Sequence, residues 1–95
     1  MSEIHLTGQL ACNTEDEVRS VTLHLPEHIE RTRAELGCVS FVVTPPDWGP
    51  WVCSVGERFE DERVFELHQE RVAGSEWGRA ATGIERLYSI EGLAR

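Results

Sequence analysis

Apolar side chains recur along this chain with periods of about 2, 3.6, 2, 2, 3.6 and 2, an order of strand-like and helix-like segments that few folds accommodate. Ile4, Leu6, Gly8, Leu10 and Cys12 alternate and predict a first strand. Val18, Val21, Leu25, Ile29, Thr32 and Leu36 then share one helical face. Thr14 and Glu17 form a capping-box pair at its start, and Gly37 is placed to end it. Pro26 lacks an amide hydrogen, so either one helix kinked near Pro26 or two nearly collinear helices are expected. Strands follow at Cys38 to Thr44 and Trp51 to Phe59, joined by the stiff loop Pro45-Pro46-Asp47-Trp48-Gly49-Pro50. Gly56 would mark a bulge or a close backbone approach. Asp61 caps a second helix to about Val72, Ser75 caps a short third one, and Ile84 to Glu91 is the last strand.

The sum is β-α-β-β-α-β with one extra helical turn in a single 1–95 domain: an α+β, ferredoxin-like sandwich with both long helices on one side of an antiparallel sheet. In the second strand, Val39, Phe41 and Val43 alternate with Cys38, Ser40 and Val42, so neither side is plainly polar. Two helices cover one sheet face, and a second copy of the chain is the simplest cover for the other. A chain of 95 residues is also short enough to gain from the extra burial.

The second helix carries the main functional lead. Val64, Phe65, Leu67, His68, Arg71 and Val72 share a face, with a titratable imidazole near its centre, where a core helix would place leucine. His68 is a candidate general base or acid, weighed against a core histidine bonded to a carbonyl. Arg71, on the same flank, is a candidate for neutralising an oxyanion, weighed against an ion pair with Glu57 or Glu76. Phe59, Phe65 and Trp77 are candidate walls of an apolar cleft for a flat aromatic molecule, weighed against plain core packing. Tyr88 fits either the site or a dimer seam.

Charge removes several classes of function. Seventeen Asp and Glu oppose nine Arg, with no Lys, for a net charge of −8. Nucleic acid and anionic membrane are therefore not expected partners. No span or signal sequence is evident, and three cysteines without C-x-x-C spacing suit a reduced, cytoplasmic protein. His24 and His28 have a metal-like spacing, but Pro26 lies between them and both fall off the apolar stripe toward solvent. No metal or other cofactor is expected.

The segments Arg31-Thr32-Arg33-Ala34-Glu35-Leu36-Gly37-Cys38, Glu57 to Gln69 with its His68, and Ser75-Glu76-Trp77-Gly78 together resemble the antibiotic biosynthesis monooxygenase family across nearly the whole chain. The resemblance implies a homodimer whose sheets face each other in a dimeric α+β barrel. It also implies oxidation of a quinol or polycyclic, polyketide-like aromatic by dioxygen without a cofactor. Where the family's polyketide oxygenases use asparagine, tryptophan and tyrosine, this chain has Val55, Phe59 and Phe65. The haem-degrading branch requires a histidine after the second helix, and none follows Ser75. The rival readings are a non-catalytic small-molecule-binding or stress-response dimer, and a small-metabolite isomerase on the same fold.

Overall fold

In the computed structural model, which describes residues 3–44 and 51–93, the elements run β1 (Ile4–Ala11), α1 (Glu15–Arg33), β2 (Cys38–Val43), β3 (Val52–Phe59), α2 (Glu62–Ala73), α3 (Glu76–Ala80) and β4 (Glu85–Glu91). The sheet has the order β2-β3-β1-β4 with every neighbour antiparallel. This is the α+β ferredoxin-like arrangement that the periodicities predict. The loop at residues 45–50 lies outside the described residues.

Local chemistry explains the helix ends. Thr14 Oγ1 accepts from the Glu17 amide at 3.1 Å, while the Glu17 carboxylate takes the Asn13 amide, one residue earlier than a standard capping box. Asp61 Oδ1 accepts from the Val64 amide at 2.9 Å. Helix α1 is a single helix through Pro26, which lies on its exposed side. Its end falls at Ala34, and Gly37 belongs to the turn beyond, at φ +87°. A β-carbon there would stand 2.6 Å from the Val64 side chain, so glycine lets this turn pack against the start of α2.

Val21 and Leu25 of α1 and Phe65 of α2 close over Ile4, Leu6, Leu10, Phe41, Cys53 and Phe59 of the sheet. Two stripe residues do not take part. Leu36 is 94% exposed because the helix has already ended, and Leu67 is about half exposed at the flank of α2. The bulge also moves: Gly56 pairs regularly with Thr7 and Val42, and the register shift falls between Cys38 and Ser40. That shift returns Cys38 to the core side and leaves Val39 outside, which a strict two-residue period cannot anticipate.

Away from the helices, the sheet carries Val42 and Leu87, each 55% exposed, among Thr7, Gln9, Ser54 and Arg58. Strand β4 is exposed throughout, since α1 and α2 lie over the other strands. No described helix is long and apolar enough to cross a membrane.

Candidate functional site

Leaving the inner side of β4 uncovered creates a cleft of about 310 Å³. Its floor is sheet (Leu6, Leu10, Phe41, Val43, Val55, Glu57); one wall is His28, His68, Gln69, Val72, Trp77 and Gly78, the other Arg86, Tyr88 and Ile90. The Ser-x-Trp-Gly segment builds its rim. Ser75 Oγ donates to the Val72 carbonyl at 2.7 Å and accepts from the Gly78 amide at 3.0 Å, ending α2 and starting α3 in one turn. A β-carbon on Gly78 would lie 2.1 Å from the Val72 carbonyl, so only glycine permits the turn that points Trp77 into the cleft.

Beside the cleft lies a buried polar cluster. His68 is 3% exposed, packed against Phe59 at a ring separation of 4.8 Å. Its Nδ1 meets Glu35 Oε1 at 2.8 Å, and its Nε2 lies 3.8 Å from Glu57 Oε1. A carboxylate facing Nδ1 holds the proton there, which leaves Nε2 as an open lone pair on the Glu57 side. Arg71 Nε binds the other oxygen of Glu35, and its Nη2 donates to Thr32 Oγ1 at 2.9 Å. Thus the turn after α1 clamps two residues of α2.

Burial decides the protonation states. Glu57, only 8% exposed, is pushed up to about 7, by loss of hydration first and by the charge of Glu35 second. Burial lowers His68, against the hydrogen bond and charge of Glu35, which favour its cation. Near neutral pH the cluster therefore holds a neutral imidazole beside a carboxyl poised between its two forms, a pair able to accept a proton at one atom and return one from another.

Of the candidates from the sequence, the structure places His68, Trp77 and Tyr88 at the cleft. Phe59 and Phe65 sit beneath it in the core, 5.7 Å apart, where Phe59 backs the His68 ring and neither lines the cavity. Arg71 is turned to Glu35, which replaces the Glu57 or Glu76 partner expected, and the arginine lining the cleft is Arg86. The reading of His28 as solvent-facing is also corrected. Only 6% exposed, it stacks on Trp77 at 4.7 Å and meets the Phe41 edge at 5.2 Å. Burial lowers it to about 3, with the positive charges of His68 and Arg71 contributing less. Among the described residues, no three His, Cys, Asp or Glu converge as a metal site.

Glu35 and Glu57, which flank His68, are residues of the candidate site that sequence reasoning missed. Glu57 had a usable signal: it occupies the inward parity of β3 with Cys53, Val55 and Phe59. Glu35, in a turn, had none.

No family model and no curated protein matches this sequence. Solved structures do resemble it. A Nitrosomonas europaea protein provisionally assigned as an antibiotic biosynthesis monooxygenase aligns over 99% of this chain and 100% of its own, at 14% identity and a TM-score of 0.75. Rv0793 of Mycobacterium tuberculosis aligns over 99% and 97%, at 16% identity and 0.71. A Bacteroides thetaiotaomicron protein of unknown function, described as a possible oxidoreductase, aligns over 94% and 95%, at 14% identity and 0.70. At such identities the likeness establishes a shared fold.

Proposed function

We propose that this protein is a cofactor-independent monooxygenase acting on a quinol or related polycyclic aromatic with dioxygen, in the cytoplasm and as a homodimer. The observation that carries this reading is the buried Glu57–His68 pair at the wall of an otherwise largely apolar cleft. The neighbours of the same fold described as a monooxygenase or possible oxidoreductase support it. So do the three free cysteines, for a reducing compartment.

The chemistry needs only proton transfer and dioxygen. His68 Nε2 removes an acidic C–H proton from the substrate, for instance at a methylene beside a phenolic ring, and leaves a delocalised carbanion. The carbanion gives one electron to dioxygen, and the resulting radical and superoxide combine to form the C–O bond of a peroxide. Protonation and loss of a second C–H proton break the O–O bond, releasing water and leaving a carbonyl. Overall, a CH2 group and O2 become C=O and H2O. The protein's share is to take up and return protons, which a pair poised near neutrality does at low cost.

In this reading a second copy covers the sheet face away from the helices, where Val42 and Leu87 are exposed. One observation favours a binding-only dimer: of the three positions that carry polar groups in the polyketide oxygenases, only Val55 reaches the cleft here, and it is apolar. Oxygen uptake against a panel of quinols and anthrones, with and without a chelator, separates the two. Uptake that survives chelation is the expected result. Silence across the panel, with the aromatics still bound, would establish the binding module instead.

A further inference from the structure

Among the described residues, two buried side-chain nitrogens lack a hydrogen-bond partner: Arg71 Nη1 and His28 Nδ1. The first belongs to a guanidinium whose other nitrogens are bound to Glu35 and Thr32. His28 is different, because its ring lines the cleft and is held by aromatic packing alone. Trp77 stacks on it at 4.7 Å with planes 10° apart, and Phe41 meets it edge-on at 83°. These contacts set the orientation of the imidazole without using its polar edge. A leucine there would pack without the roughly 1–3 kcal/mol that stranding a buried polar group costs.

The tautomer follows from the same burial. An N–H at the sealed, partnerless Nδ1 would be a stranded donor, so the proton belongs on Nε2. The ring then offers a fixed, uncharged N–H donor. His68 flanks the same part of the cleft from α2, its ring centre 6.1 Å from that of His28.

We propose that His28 positions the substrate by donating from Nε2–H to an oxygen on the ring of the aromatic bound in the cleft, beside the base His68. The proposal rests on the cleft reading above and adds the residue that recognises the oxygen. As His68 takes the substrate proton, negative charge grows on that oxygen, and a donor already in place stabilises it without reorganisation. His28 thereby takes the part that helical periodicity suggested for Arg71. Because burial keeps the ring neutral, it offers a dipole and suits an oxygen that starts uncharged and gains charge during the reaction.

The test uses 4-nitrophenol, whose ionised form is visible, with the parent protein, His28→Phe and His28→Gln. Phenylalanine keeps the stack on Trp77 and removes the donor; glutamine restores an N–H. At one pH, His28→Phe is expected to bind the probe about ten- to a hundredfold more weakly, with a smaller bound fraction as phenolate. His28→Gln should recover part of both. Equal affinity and equal ionisation in parent and His28→Phe would overturn the role of His28 while leaving the cleft reading intact. A parent that binds no 4-nitrophenol would instead defeat the cleft reading. A second measurement needs no variant: with histidine labelled in heavy nitrogen, the probe is expected to shift the His28 Nε2 resonance. Saturating binding without that shift would also overturn the proposal.

Discussion

Replacing Glu57 by glutamine should make the protein more stable and less active, with a gain that depends on pH. In the folded chain Glu57 holds its proton up to about pH 7, against an ordinary value of 4.5. The sign follows from linkage. A group whose folded pKa is raised contributes stability that is fully present below its unfolded pKa and is lost as pH rises through the folded one. The window here runs from about pH 4.5 to about pH 7. A difference of roughly 2.5 pKa units, at about 1.4 kcal/mol each, corresponds to at most about 3.5 kcal/mol of lost stability by pH 8. Glutamine keeps the size of the side chain and cannot ionise, so Glu57→Gln escapes this loss. Urea unfolding at pH 4.5, 6 and 8 should show the two proteins nearly equal at the acid end, and the variant ahead by about 2–3 kcal/mol at the alkaline end. In thermal melts that gap is roughly 10 °C or more for a domain of this size. Oxygen uptake should fall in the same variant, since glutamine cannot exchange the proton that the Glu57–His68 pair takes up and returns. Parallel stability curves from pH 4.5 to pH 8 would refute the argument, because they would mean that Glu57 ionises alike in folded and unfolded chains.

His68→Ala should slow turnover by about 10²–10⁴, the usual loss for a general base, and cost about 1–3 kcal/mol because Glu35 loses a partner; a rate within tenfold of the parent would remove His68 from the mechanism. Sedimentation equilibrium at micromolar concentration should find a dimer, with an interface above roughly 2,000 Å²; a species near 10.7 kDa alone would contradict it. Elemental analysis after dialysis should find neither zinc nor iron, and near-stoichiometric metal would show that the histidines or cysteines converge in solution.

What a local signal can specify was legible in the sequence. Thr14, Asp61 and Ser75 cap their helices because a cap involves residues two or three positions apart. Alternation found β1 and the inward row of β3, and helical spacing put His68 on the buried side of α2. Periodicity gives an angle around an axis, but it does not say how wide the covering layer is. Helical spacing therefore puts Leu67 and Leu36 in the interior although both lie outside, while His28, just off the stripe of α1, falls under Trp77 and is buried. The site itself is a tertiary product. Glu35 and Glu57 approach opposite edges of one imidazole from a turn and from a strand, 33 and 11 positions away in sequence. Their approach depends on strand register and on how α2 crosses the sheet, which no window of neighbouring residues encodes. Folding also set the charge states, because Glu57 reaches about 7 only when the packed chain strips its water.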